Sequence, residues 1–269
     1  MARKLIPKRK QSDSKIAGGK SLLIAGSEGM FGAAVLAATA AARVGSGFVT
    51  LMTDLKKFTS VKNPDFLIAD WKNKKISDLS FTAVGIGPGL GGTAHVLSLL
   101  RQLLKLKPEN VVVDADALNL LAKNKIQVLP NTWIVTPHEG ELARLLGISA
   151  EAIRKDRLAS VKSAQKKMGC IVLLKGFKSL VATSDKIFEI QSGNRALAKA
   201  GTGDVLTGII TGLLAQGLSA QESACLGAYL HGCLADQWNK DQKDYLSLMA
   251  SDLLDALPYA LKKLRDEKF

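Results

Sequence analysis

Apolar positions along this chain follow two spacings that alternate. Short, continuously apolar runs recur at 21–26 (SLLIAG), 47–53 (GFVTLMT), 81–87 (FTAVGIG), 110–116 (NVVVDAD), 132–137 (TWIVTP) and 170–176 (CIVLLKG). Strands buried on both faces read this way, because neither side of the pleat meets water. Between them the apolar spacing lengthens to three and four, which predicts helices over 93–107, 140–147 and 150–168, with others after the first glycine loop and at 219–239 and 251–266. SLVATS and KIFEI, within 179–190, read as a hairpin around 184–185. Such alternation predicts an α/β fold of three layers, α/β/α, with helices on both faces of a mainly parallel sheet. No internal repeat or linker breaks the pattern. A single domain over 1–269 is expected, with the polar and basic residues 1–14 as a flexible tail.

The stretch at 194–217, NRALAKAGTGDVLTGIITGLLAQG, concentrates the unusual residues. Val205/Leu206, Ile209/Ile210 and Leu213/Leu214 step by four, which predicts one buried stripe on a helix. Gly208 and Gly212 form a smooth ridge where another backbone or a ligand approaches closely. Glycine costs about 1 kcal/mol against alanine in a helix, so the pair implies such a reason. Ahead of the helix, Gly201, Thr202 and Gly203 leave amide N–H groups at the positive end of its dipole, which is an anion site. Asp204 stands at its mouth and supports two readings. It is a first-turn carboxylate stabilising the helix, or a base beside a bound phosphate.

Other polar and glycine residues collect where the predicted strands end, which is where open parallel sheets bind ligands. GSEGMFG (26–32) follows the first strand, and tight packing or a phosphate explains it equally well. AGGKS (17–21) is not a Walker A loop, because Ser14 stands where its first glycine belongs and it precedes a strand. IGPGLGG, DADALN, TPHEGE and LKGFKS end four further strands. His138 reads as a hydrogen-bonded turn histidine or a substrate contact. Glu139 and Glu141 stabilise the start of a helix whatever else they do. Asp114 and Asp116 either hold Mg²⁺ through water or cap the next helix, capping being the expectation for Asp116. Lys175 is a solvated lysine or a point charge for phosphate. His231 is a core or interface residue.

With 37 Lys+Arg against 24 Asp+Glu the formal net charge is +13, spread over much of the chain. That balance suits a nucleotide or nucleic acid, but no basic–aromatic interleaving is present, so a solvated surface and no nucleic-acid partner are expected. Cys170, Cys225 and Cys233 form no CxxC pair, and no disulfide or metal site is expected from them. Ala33 to Ala42 is too short to span a bilayer, and a cytoplasmic protein without a membrane partner is expected.

GTGD followed by an apolar helix resembles the anion-hole signature of the ribokinase-like superfamily. Within that group the chain resembles the nucleotide-dependent NAD(P)H-hydrate dehydratases. The resemblance rests on GSEGMFGA, AARVGSGFVTL, NPDF, IGPGLGG, VVVDADALNLLA, IVTPHEGELARLLG, VLLKG, GTGDVLTG, YLHGCLAD and LMASDLLDALP, in the family's order from about Lys15. Three positions depart from it: Ser14 precedes Lys15 where the family has His, Glu139 replaces the proline of TPHPGE, and Pro64-Asp65 replaces a Pro-Glu pair. The resemblance implies a ribokinase-like fold, the stand-alone dehydratase without a fused epimerase domain, and a homotetramer. It implies Asp204 as the general base and the amides of Gly201, Thr202 and Gly203 as the anion hole. Ala33, Gly89, His138 and Asp204 would contact the hydrated NADH or NADPH. Lys175, Gly176, Phe177, Lys178, Ser179 and Gly203 would contact ADP or ATP, with Mg²⁺ expected. A small-molecule kinase of the same fold, acting on a sugar or vitamin precursor, is the alternative. A nucleotide-binding or nucleic-acid-associated protein without activity is a third reading, against which the intact Asp204 argues.

Overall fold

The computed structural model describes residues 2–55, 58 and 65–266. Along the chain the strands are β1 (Lys20–Ile24), β2 (Phe48–Thr53), β3 (Leu67–Asp70), β4 (Ala83–Ile86), β5 (Val111–Val113), β6 (Ile134–Val135), β7 (Ile171–Leu174), β8 (Leu180–Ala182) and β9 (Ile187–Glu189). The helices are α1 (Ala2–Leu5), α2 (Phe31–Val44), α3 (Ala94–Leu106), α4 (Ala115–Lys123), α5 (Glu139–Leu146), α6 (Ala150–Lys155), α7 (Arg157–Met168), α8 (Thr202–Ala215), α9 (Ala220–Lys240) and α10 (Ala250–Asp266). Among the described residues the strands form one nine-stranded sheet in the order β3-β2-β1-β4-β5-β6-β7-β8-β9. Pairing is parallel from β3 to β7, and β8 and β9 add an antiparallel hairpin at one edge.

The continuously apolar strands are buried on both faces, as their composition requires. Successive side chains leave a strand in opposite directions. Leu22 and Ile24 join Val96, Leu99 and Leu121 on the face covered by α3 to α7. Leu23 and Ala25 meet Ala34, Ala37 and Ala41 of α2 on the other. In β5, Val111 and Val113 turn to the first face, while Val112 meets Leu206 and Ile210 of α8. The expected three layers and mainly parallel sheet are present.

Helix α8 is more deeply placed than its pattern implied. Leu206, Ile210 and Leu214 pack on the sheet, whereas Val205, Ile209 and Leu213 face α9 and α10. The paired residues therefore serve two cores, and the one-stripe expectation is corrected to a helix enclosed on nearly every side. Gly208 and Gly212 form a third face against α2. A Cβ on Gly208 would lie 2.1 Å from Ala37 O, and one on Gly212 would lie 2.3 Å from Val44 Cγ1. A backbone, not a ligand, makes the close approach. The alanine-rich α2 permits it from the other side.

Three further differences have local causes. β3 was not expected, and it forms the sheet edge opposite the hairpin. The helix expected over 150–168 breaks at Asp156, whose backbone closes α6 and whose Oδ1 accepts from Ala159 N at 2.8 Å to start α7. Within the expected tail at 1–14, Ile6 is only 3% exposed and packs with Leu230 and Leu257, so part of that segment is anchored. Lys20 and Ser21 lie in β1, consistent with rejection of a Walker A loop. Asn63 and Pro64 of NPDF lie outside the described residues. Among the described residues no helix is long and apolar enough to cross a membrane.

Gly208→Ala should lower stability despite a helix-propensity gain of about 1 kcal/mol. Overpacking against a backbone oxygen costs typically about 1–3 kcal/mol, more when the obstacle cannot move. Denaturant unfolding is expected to show a lower midpoint at unchanged slope; a stabilised variant would contradict this packing.

Candidate functional site

The strand order reverses at β1. The chain runs outward through β2 and β3, then returns to the other side of β1 as β4. The crevice at the carboxyl ends of the two strands at such a reversal is the usual ligand position in an open parallel sheet. Both strands end there in glycine-rich loops that bind each other. Gly26 N donates to Pro88 O at 2.8 Å and Ser27 Oγ donates to Gly89 O at 2.9 Å. Gly89 has φ +59°, and a Cβ on it would lie 2.7 Å from Met30 O and 3.0 Å from Ala33 Cβ. Ala33 and Gly89, expected in one site, do meet.

The end of β5 ties this crevice to the next loops. Asp116, expected as a cap, instead accepts from Gly91 N through Oδ2 at 2.7 Å and holds the second glycine loop. Asp114 is 1% exposed and makes no cap hydrogen bond. Its Oδ1 lies 2.6 Å from Lys175 Nζ and its Oδ2 accepts from Thr207 Oγ1 at 2.7 Å. Lys175 is therefore not the solvated lysine of one reading. Its side chain is 19% exposed, with Glu141 Oε2 a further 3.7 Å away. Burial alone would lower the Lys175 pKa. The carboxylates of Asp114 and Glu141 outweigh it and hold the ammonium above its ordinary value. Removing one member of a buried pair leaves the other uncompensated, so this contact fixes three segments at once.

Beside it stands the amino end of α8. Gly201, in the left-handed region at φ +91°, is the cap residue and offers no side chain. Asp204 lies in the first turn, where the helix-stabilising reading puts it, and that position is equally compatible with the reading as a base. Burial chiefly, and then the Asp114 carboxylate, push Asp204 up to about 7, against a smaller opposing effect of Lys175. Thr202 N–H turns onto Lys199 O at 3.4 Å, a long contact that leaves it less free than the other two proposed amides. Gly203 N–H finds no backbone acceptor among the described residues. A Cβ on Gly203 would lie 3.6 Å from Lys175 Nζ and 3.9 Å from Asp114 Oδ2, so the amide end and the ammonium border one space. A carboxylate that titrates near neutrality beside such donors can accept a proton while an anion is held.

Two loops close the site. His138 caps α5: its Nδ1 accepts from Gly140 N at 2.9 Å, and Glu141 Oε2 accepts from His138 N at 2.8 Å. The turn-histidine reading thus holds; the side chain stays 55% exposed, with Nε2 3.6 Å from Glu141 Oε1. Lys175 N donates to Pro137 O at 2.8 Å, joining this turn to the loop 175–179. That loop presents Phe177, which is 74% exposed. Five segments, IGPGLGG, DADALN, TPHEGE, LKGFKS and GTGD, are thus linked by hydrogen bonds or close contacts. Thr207 and Arg157, which brace them, were not singled out in the sequence. A threonine facing the sheet from an apolar helix was the one available signal. A groove of about 840 Å³ lies elsewhere, between α9 and α10 beside Tyr229, Trp238 and Tyr259, and none of the five segments lines it.

A sequence profile of the family described as NAD(P)H-hydrate dehydratase matches residues 21–259. The chain is 39% identical over 247 residues to the ADP-dependent (S)-NAD(P)H-hydrate dehydratase of Neisseria meningitidis, covering 88% of this chain and 83% of that protein. It is 38% identical over 284 residues to the bifunctional NAD(P)H-hydrate repair enzyme of Moorella thermoacetica, covering 98% of this chain. The chain spans about half the length of that relative and others like it, 53% in the Moorella case. Among solved structures, the Bacillus subtilis ADP/ATP-dependent NAD(P)H-hydrate dehydratase co-crystallised with ATP/Mg²⁺ superposes with a TM-score of 0.87 at 32% identity, covering 98% of this chain and 96% of that one. A ribokinase-like superfamily protein of Enterococcus faecalis gives a TM-score of 0.88 at 27% identity, covering 99% and 94%. The fold is ribokinase-like.

His231 supports the amino end of α8 from behind. It is 8% exposed, and its Nε2 lies 2.9 Å from Thr202 O. Burial lowers its pKa from 6.5 to about 4, so the ring is neutral in the fold. The unfolded chain therefore binds this proton first as pH falls. The contribution is complete above pH 6.5 and is lost progressively toward pH 4. By that linkage wild type should lose about 3 kcal/mol more than His231→Gln over this range. Parallel pH dependences in denaturant titrations would contradict a buried neutral His231.

Proposed function

The chain belongs to the NAD(P)H-hydrate dehydratase family, and from that membership we propose that it converts the (S)-hydrates of NADH and NADPH back to the parent coenzymes, using ADP and releasing AMP and phosphate. The observation that carries this reading is Asp204, a carboxylate shifted to about 7, beside the Gly203 amide, which has no backbone acceptor among the described residues, at the start of α8. Hydroxide is a poor leaving group from the hydrated ring. Asp204 takes the proton of the hydrate hydroxyl as its oxygen attacks the terminal phosphorus of ADP, and AMP departs. The ring-nitrogen lone pair then expels phosphate, and loss of a proton from the neighbouring ring carbon restores the double bond. The amides of Gly201, Thr202 and Gly203 stabilise charge on the moving phosphoryl group, a preorganised role for groups already fixed in the fold.

Ala33, Gly89, His138 and Asp204 form the hydrate side. Lys175, Gly176, Phe177, Lys178, Ser179 and Gly203 form the nucleotide side, where Lys175 supplies a fixed positive charge. Among the described residues no group of three or more His, Cys, Asp or Glu is placed to hold a metal ion. Asp114 and Asp116 are engaged by Lys175, Thr207 and Gly91. A Mg²⁺ ion would therefore come with the nucleotide, held by its phosphates and water, which is a common arrangement for this ion. It would neutralise phosphate charge. ATP is a donor compatible with the same loop. The free thiols fit a reducing cytoplasm, and a homotetramer follows the family resemblance.

Purified protein incubated with NADH hydrate, Mg²⁺ and ADP or ATP should regain the absorbance of NADH, with AMP or ADP and phosphate formed in equal amounts. A phosphorylated product without NADH would favour a kinase, and no nucleotide-dependent NADH would end the proposal. Asp204→Ala should lower kcat by about 10²–10⁴-fold, the usual worth of a positioned base. Because Asp204 works ionised, kcat/KM should fall as pH drops below about 7 and level off above it. A profile flat from pH 5.5 to 8, values bracketing that transition by about a unit each way, would remove this role from Asp204.

A further inference from the structure

Glu139 opens α5 immediately after His138, and its carboxylate faces two arginines. Arg157 Nε lies 3.4 Å from Oε1, and the more exposed Arg154 Nη1 lies 3.8 Å from Oε2. Arg157 Nε is buried and makes no hydrogen bond, so its attraction to Glu139 is one of charge. The far edge of the same guanidinium grips the loop 175–179: Nη2 donates to Lys175 O at 3.2 Å and Nη1 donates to Phe177 O. Between those carbonyls, Ser179 Oγ donates to Gly176 O at 3.0 Å. Gly176 has φ +140°, and a Cβ there would lie 2.7 Å from Arg157 Nη2, so the guanidinium fills the space beside it. Three successive carbonyls are thus held by the protein. A rigid, planar fork binding two of them sets the loop's curvature in a way a flexible lysine would not.

We infer that Arg157, braced by Glu139, is a positioning residue for the adenine nucleotide, holding the loop 175–179 in its receiving shape and tying it to the His138 turn. This rests on the assignment of that loop to the nucleotide. Glu139 stands where the family pattern has proline, so the brace is particular to chains with an acid at this position.

The test combines equilibrium titration of the full chain with ADP and steady-state kinetics with NADH hydrate. Arg157→Met should raise the ADP Kd and KM about tenfold, with kcat and the hydrate KM changed less than about threefold, as expected when charge-assisted hydrogen bonds to a binding loop are lost. Arg157→Lys keeps the charge without the fork and should recover only part of that loss. Glu139→Gln should raise the ADP Kd about threefold in wild type and leave it unchanged in the Arg157→Met background, because the two act through one contact. Glu139→Pro, tolerated at a first helical position, should match Glu139→Gln. A fall in kcat at unchanged nucleotide KM, or additive effects of the two substitutions, would overturn the inference. If Arg157→Met does not fold, Arg157→Lys and Glu139→Gln decide through the same Kd and KM. Wild type that binds ADP but forms no NADH contradicts the proposed reaction and leaves the positioning role standing. Wild type that binds neither ADP nor ATP overturns both.

Discussion

The buried contact among Asp114, Lys175 and Thr207 is the constraint on which the rest of the site depends. It joins the ends of β5 and β7 to the first turns of α8 through two short bonds, of 2.6 and 2.7 Å. A carboxylate at 1% exposure is stable there only because both oxygens are satisfied. Its charge then has a second consequence. With burial, it pushes the nearby Asp204 toward neutrality, where a carboxyl serves best as a base at physiological pH. One interaction thus places the amide end of α8 and tunes the acid beside it.

Folding roles and the proposed chemical roles coincide at several of these residues. His138 caps α5 through Nδ1 and keeps a half-exposed ring, with Nε2 3.6 Å from Glu141 Oε1. Gly89 allows two loops to touch and so brings Ala33 to the crevice. Glycines 208 and 212 let α8 sit against α2 at backbone distance, and enclosure by α2, α9, α10 and the sheet keeps its amino end from shifting. The anion site proposed at that end requires such rigidity, since donors that must move to meet charge stabilise it less.

Much of this was legible in the sequence because it is local. Uninterrupted apolar runs gave the buried strands, and glycine or acid clusters at their ends gave the loops that converge. Asp204 and Lys175 were visible as candidates. What chose between their readings was not: Asp114 and Thr207 are 93 positions apart, and no periodicity records that they bond. Arg157 was not singled out, because it fell inside the helix expected over 150–168 and its two carbonyl partners lie 18 and 20 residues away. β3 escaped notice because its four residues end in Asp70, a polar residue buried by neighbours that the sequence does not identify. The break at Asp156 was hidden by a pattern that remains helical on both sides.

The central claim is that the base acts on the hydrate hydroxyl so that its oxygen attacks phosphorus and later leaves as phosphate. The most direct measurement follows that oxygen. NADH hydrate labelled with ¹⁸O at the ring hydroxyl, turned over once with excess enzyme and ADP, should deliver one labelled oxygen to the released phosphate and none to water. Label recovered in water, with unlabelled phosphate, would mean that the carbon–oxygen bond breaks without phosphorylation, and the account of Asp204 would be wrong.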